Sequence, residues 1–236
     1  GTIAAVEALA GRDATRSQLA GYLAVQQAFA GLDRLEVRGR DSAGLHVLVR
    51  GHGLDAAALD RLVADRGTDP LFQSGALVVA DGCLSFVYKA AAEIGELGDN
   101  TAALRAALTT DTLLRRALEA DEARVAVLGH TRWASVGIIS EPNTHPLNSW
   151  EQEESGGAAP PYVVAALNGD VDNHADLRAA HGLRIAPSIT TDAKVIPTLI
   201  ARHGANAELP EAFRRTVAEF DGSVAIGAAS SRAPSQ

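Results

Sequence analysis

Four polar clusters interrupt the apolar runs of this 236-residue chain: RGRDSAG (Arg38–Gly44), GHTRWASVG (Gly129–Gly137), NGDVDNH (Asn168–His174) and TTDAK (Thr190–Lys194). They supply fixed cations in Arg38 and Arg132, fixed anions in Asp41 and Asp192, and an amide beside a glycine in Asn168-Gly169. A guanidinium such as Arg132 can grip a carboxylate through two parallel N–H bonds. A carboxylate near a helix start, such as Asp192, can bind an ammonium. A ligand carrying both groups is an α-amino acid. The side-chain N–H of Asn168 and the backbone N–H of Gly169 could together form an oxyanion hole for acyl transfer. Each residue also has an ordinary reading. A lone arginine is a solvated charge, Asn-Gly after a strand is a turn, and an aspartate at a helix start is a cap. The information lies in the order of the clusters along the chain.

The elements that must position these clusters follow from periodicity. Tyr22, Val25, Phe29 and Leu32 recur at helical spacing, predicting an amphipathic helix over Ser17–Leu35, and residues 2–11 read as a further helix before it. The RGRDSAG loop then leads into a strand carrying Leu45, Val47 and Val49. LDAAALDRLVADRG predicts a short helix ending at Gly67, and GALVVADGCLSFVYK predicts a hairpin turning on Asp81-Gly82. Three short helices fill Ala90–Ala120. An apolar run over 124–129 (Val125, Ala126, Val127, Leu128) reads as a buried strand feeding GHTRWASVG, and 162–169 as a strand ending in a polar turn. Asp172 is expected to cap a helix through Ala180. Thr191 or Asp192 caps the next, with Val195, Ile196, Leu199 and Ile200 on one face and Pro197 set to distort it. A helix over 210–219 precedes a strand over 222–228. The acidic stretch 149–161, rich in Gly and Pro, reads as an exposed loop. Strands and helices come in runs without βαβ alternation, so the expected class is α+β with antiparallel sheets.

Composition narrows the partners. The net charge of −8 argues against a nucleic-acid backbone as partner. No apolar run reaches the ~20 residues of a membrane span, and there is no basic-then-apolar N-terminal leader. A single cysteine, Cys83, excludes an internal disulfide and fits a reducing, cytoplasmic setting.

The ordered clusters resemble the class II glutamine amidotransferase domain of the glutamine–fructose-6-phosphate aminotransferase (glucosamine-6-phosphate synthase) family. RGRDSAGL is similar to that family's RGYDSAGL, GHTRWASVG to GHTRWATHG, LNGDVDNHADLR to HNGIIENHEELR, and TTDAKVI to ETDTEVI. NTHP (Asn143–Pro146) matches its N-x-HP piece. The resemblance covers about Ser17–His203. It implies a four-layer αββα N-terminal nucleophile hydrolase fold with two stacked antiparallel sheets, over a single domain spanning 1–236. It further implies a glutaminase that supplies ammonia, without a cofactor or metal, to a sugar-isomerase domain that makes glucosamine 6-phosphate from fructose 6-phosphate. A homodimer is compatible with it. Residue by residue, Arg132 with Ser135 would hold the α-carboxylate of glutamine. Asp192, near the Gly169 backbone, would hold the α-ammonium. Asn168 and Gly169 would form the oxyanion hole, Trp133 would shield the site and gate ammonia, and Arg38 would support the nucleophile's end.

Two departures qualify the resemblance. Val136 stands where the family has His. The family's nucleophile is a cysteine at the mature N-terminus, whereas this sequence starts at Gly1 and its one thiol, Cys83, reads as a buried structural residue. Thr2 is a weaker candidate nucleophile. The expectation is that the cysteine strand lies upstream of Gly1, and that the 236 residues alone are inactive. Two other readings stay open: a non-catalytic amino-acid-binding or assembly domain, and a class II amidotransferase with a different ammonia acceptor.

Overall fold

The computed structural model describes residues 1–66, 73–91, 96–152 and 160–233. In chain order the elements are α1 (Thr2–Ala10), α2 (Arg16–Leu35), β1 (Ser42–Arg50), α3 (Ala56–Arg66), β2 (Leu77–Ala80), β3 (Cys83–Ala90), α4 (Asp99–Thr109) and α5 (Thr112–Ala117). They continue with β4 (Arg124–Arg132), β5 (Leu147–Asn148), β6 (Val163–Val171), α6 (His174–Ala180), α7 (Val195–Gly204), α8 (Leu209–Val217) and β7 (Gly222–Ser230). Short 3-10 turns occupy Glu36–Arg38, Glu141–Asn143 and Asp192–Lys194.

Two sheets form, ordered β2-β3-β1-β4 and β5-β6-β7, and every described pairing is antiparallel. Three apolar clusters set the layers. Ala43, Leu45, Val47 and Val49 on one face of β1 pack under Tyr22, Val25 and Phe29 of α2 and Leu104 and Leu108 of α4. Val163, Ala165 and Leu167 of β6 pack on Ile196, Leu199 and Ile200 of α7. Between the sheets, Leu48 and Val87 of the first meet Val164 and Ala229 of the second. The result is helix, sheet, sheet, helix: the four-layer α+β arrangement that the family resemblance implies.

Local signals explain several elements. Thr15 and Gln18 form a reciprocal capping box at the start of α2. Asp81 and Gly82 both adopt positive φ, 51° and 70°, as a two-residue hairpin turn demands. Pro197 falls in the first turn of α7, where its missing N–H forfeits no helical bond, so the helix runs on to Gly204.

Other expectations are corrected. The strand after RGRDSAG begins at Ser42, inside the expected loop, because Ser42 pairs with Arg132. β1 is buried on both faces, which removes the polar alternation of a half-exposed strand. β4 runs on through Arg132, past the expected end at 129, and it is half-buried at the edge of its sheet. β6 likewise runs on to Val171, two residues past the expected end at 169, so the polar turn expected there is strand. Three short helices were expected over Ala90–Ala120; the described residues of that range hold α4 and α5, and 92–95 lie outside them. The expected helix end at Gly67 lies outside the described residues. Asp172 does not cap α6, whose N-cap is Asn173, and neither Thr191 nor Asp192 makes a side-chain cap bond. Of the expected exposed loop 149–161, Ser149 is buried and Glu151 pairs with Arg202 at 2.8 Å. Residues 153–159 lie outside the described residues. Among the described residues no helix is long and apolar enough to cross a membrane.

Candidate active site

A cavity of about 380 Å³ opens where the ends of β4 and β6 meet the 3-10 turn at Asp192. All seven residues to which the resemblance gives a role in the site line it: Arg38, Arg132, Trp133, Ser135, Asn168, Gly169 and Asp192. His130, His145, Asp170 and Thr191 line it too.

Arg132 is the last residue of β4 and only 4% exposed. Its guanidinium donates to the Ile138 carbonyl at 3.3 Å and to the Val136 carbonyl. Two of the five N–H donors of an arginine are thereby used. Burial lowers the Arg132 pKa, while the nearby carboxylates of Asp192 and Asp41 favour its charge. Asp192, also 4% exposed, faces it as the opposite charge. Its Oδ2 accepts the Val171 N–H at 2.8 Å and its Oδ1 lies 3.3 Å from the Thr191 hydroxyl. A buried cation and a buried anion thus share one wall of the cavity.

Asn168 and Gly169 are exposed near the end of β6, opposite Ala225 and Val224 of β7. Gly169 has φ 116°, and a Cβ there would stand 1.8 Å from the Ser223 carbonyl oxygen. Only glycine allows the strands this close. Among the described residues the Asn168 amide has no hydrogen-bond partner, so it is available to a ligand. Trp133 is 74% exposed and stands at the rim. Ser135 donates its hydroxyl to Asp170 Oδ1 at 2.8 Å, which ties it to β6 and leaves only its lone pairs for other partners. Arg38 is exposed at the far lip.

The residues that hold this geometry were only partly legible beforehand. Asp41, flagged as an anion, accepts the Ala134 N–H at 2.8 Å and pins the turn after Arg132. Gly44 allows the His145 backbone to lie against β1, since a Cβ there would be 2.2 Å from the His145 oxygen. Asn143 of the NTHP piece accepts the backbone N–H groups of Thr190 at 2.7 Å and Thr191 at 3.0 Å, and donates to the Ser188 carbonyl at 2.9 Å. It therefore sets the approach to Asp192. Asn143→Ala is expected to cost about 2–4 kcal/mol, because the buried Thr191 N–H and the partly buried Thr190 N–H lose their acceptor. Chemical denaturation measures it, and a cost below about 0.5 kcal/mol would contradict the clamp.

Burial, with Arg132 nearby, lowers the His130 pKa to about 4, so that imidazole is neutral at physiological pH. Lys194 is buried, donating to the Trp150 carbonyl at 2.8 Å and to the Asn148 carbonyl, and burial lowers its amine to about 7. Cys83 sits at the other end of the first sheet. It pairs with Arg50, which pairs with Arg124, eight residues or roughly 26 Å along β4 from Arg132. It is packed between the sheets, and burial pushes its thiol up to about 11. Among the described residues no group of three or more His, Cys, Asp or Glu is placed to hold a metal ion.

The chain is 27% identical over 216 residues to a glutamine–fructose-6-phosphate aminotransferase of Staphylococcus epidermidis, covering 89% of this chain and 26% of the relative. It is 30% identical over 223 residues to the Streptomyces coelicolor enzyme of that name, covering 92% and 27%. The chain is similar to glutamine–fructose-6-phosphate aminotransferases. This likeness bears out the amidotransferase resemblance drawn from the order of the motifs. The chain spans about a quarter of the length of these aminotransferases. No protein-family model matches it. Among solved structures, a glutamine phosphoribosylpyrophosphate amidotransferase from B. subtilis aligns with 86% of this chain and 32% of its own, at 16% identity and a TM-score of 0.45. An allosteric regulatory enzyme of purine biosynthesis aligns with 87% and 33%, at 17% identity and a TM-score of 0.47.

Proposed function

We propose that residues 1–236 form the glutamine-binding part of a single glutamine amidotransferase domain, which supplies ammonia to an acceptor when joined by a thiol that these residues do not provide. The observation that carries this is the presence of buried Arg132 and buried Asp192 in the one cavity that also holds Asn168-Gly169. The α-carboxylate of glutamine takes the unused N–H donors of Arg132, and its α-ammonium takes Asp192. The side chain then points along the cavity, with its amide carbonyl toward the Asn168 amide and the Gly169 backbone. A thiolate adding to that carbon drives charge onto the oxygen, where the two N–H groups stabilise it. The C–N bond breaks as the nitrogen takes up the proton that the thiol gave up, ammonia leaves, and water cleaves the γ-glutamyl thioester to glutamate and the free thiol. Trp133 at the rim shields the cavity, and Arg38 lines the nucleophile's end.

No residue of the chain brings a thiol to the cavity, since the one cysteine, Cys83, is buried at the opposite end of its sheet. The 236 residues are therefore expected to bind glutamine without hydrolysing it. By likeness to its relatives, the acceptor is fructose 6-phosphate on a sugar-isomerase domain, giving glucosamine 6-phosphate in the cytoplasm. Val136, standing where the resembled family has His, favours as the second reading a domain that binds an amino acid without chemistry. Calorimetry with glutamine, alongside an enzyme-coupled ammonia assay, tests the proposal. Binding without ammonia release is the expected result. No binding at millimolar glutamine overturns the amidotransferase reading, and ammonia release by these residues overturns the account of the nucleophile.

A further inference from the structure

His145 lines the cavity between the strand that carries Asn168 and the turn that carries Asp192. It is 4% exposed. Its Nδ1 accepts the backbone N–H of Leu167, the residue before Asn168, at 3.5 Å. Its Nε2 lies 3.4 Å from Thr191 Oγ1, which lies 3.3 Å from Asp192 Oδ1. These contacts fix one direction of donation. Because Nδ1 accepts, the ring proton of the neutral imidazole is on Nε2, which donates to the Thr191 oxygen. The Thr191 hydroxyl hydrogen is then directed at the Asp192 carboxylate. Asn143 holds Thr191 from its backbone, and Gly44 lets the His145 backbone lie on β1.

The groups around the ring favour its neutral form. His130 of β4 has its ring centroid 4.9 Å away, and Arg132 of β4 and Lys89 of β3 add positive charge nearby. Burial and these neighbours hold the His145 pKa well below the ordinary imidazole range.

We propose that His145 is a positioning residue that couples the strand bearing Asn168 to the Asp192 jaw through the Thr191 hydroxyl, and so sets the preference for a ligand with an α-ammonium. The proposal rests on the amino-acid reading of the cavity. It assigns the two ring nitrogens to different tasks. An asparagine at position 145 keeps an acceptor near the place of Nδ1 and loses the reach to Thr191. A valine at position 191 removes the hydroxyl and keeps the shape.

The test is calorimetry on the chain with glutamate and with glutarate, which is glutamate without its α-ammonium. Thr191→Val and His145→Asn are each expected to weaken glutamate binding about tenfold, the scale of one hydrogen bond to a charged group. Neither should change glutarate binding. The double variant should be no weaker than either single one, since both cut the same link. A wild-type chain that binds the two ligands equally overturns the amino-acid reading itself. A wild-type preference for glutamate that survives both substitutions overturns the role of His145 and leaves that reading standing. If His145→Asn fails to fold, Thr191→Val still decides between these outcomes. Nitrogen-15 NMR of the wild-type chain gives an independent check. A bare Nδ1 and a protonated Nε2 at pH 7 are expected, and a proton on Nδ1 overturns the link to Leu167.

Discussion

Arg132→Ala is expected to weaken glutamine binding by about 2–5 kcal/mol, or roughly thirty- to several-thousand-fold. The size follows from burial. Arg132 is 4% exposed, so a carboxylate drawn to it leaves water, and the cavity's other arginine, Arg38, is exposed at the far lip. Removing the guanidinium leaves that carboxylate buried beside Asp192, a like charge in place of a partner. The substitution also strips a donor from the Val136 and Ile138 carbonyls, loosening the turn that Asp41 and Ser135 hold from the other side. Arg132→Lys should recover only part of the loss, because an ammonium cannot present two parallel N–H groups. Calorimetry with each variant reads this directly. An unchanged dissociation constant in Arg132→Ala would remove Arg132 from the site.

Gly169→Ala carries the second large effect, and it acts on the strand before it acts on chemistry. The φ of 116° is a conformation that residues with a Cβ rarely adopt, and the added methyl would stand 1.8 Å from the Ser223 oxygen. β6 and β7 would have to part where Gly169 faces Val224. The expected cost is about 3 kcal/mol or more, from backbone strain together with lost pairing. Denaturation midpoints measure it. Glutamine binding should fall as well, since Asn168 is carried on the displaced strand. A variant of wild-type stability would show that the close approach to Ser223 is not required.

The sequence announced some of this geometry and concealed the rest for physical reasons. Helix α2 was legible because Tyr22, Val25, Phe29 and Leu32 all face one core and its capping box is local. The hairpin at Asp81-Gly82 was legible because both residues meet the positive φ of the turn. The ends of β4 and β6 were not. Thr131, Arg132, Asn168 and Gly169 are polar or small, which in isolation is the composition of a turn. They are strand because β1 and β7 pair with them, and such pairing is set by residues far along the chain. The same limit applies to Asp192. It read as a helix cap, yet its carboxylate accepts the N–H of Val171, 21 residues earlier. Asn143 and His145 could be quoted as part of NTHP, but their tasks depend on Thr190, Thr191 and Leu167, which no spacing rule connects to them. The seven cavity residues were found through the order of motifs, and the residues that orient them emerged only with the fold.

The central claim is that the cavity recognises both charged groups of an α-amino acid. It is tested most directly by titrating the chain with glutamine, with 4-carbamoylbutanoate, which lacks the α-ammonium, and with 4-aminobutanamide, which lacks the α-carboxylate. The account predicts that glutamine binds and that each analogue binds at least about tenfold more weakly, because one buried charge then loses its partner. Equal affinity for all three compounds would contradict it.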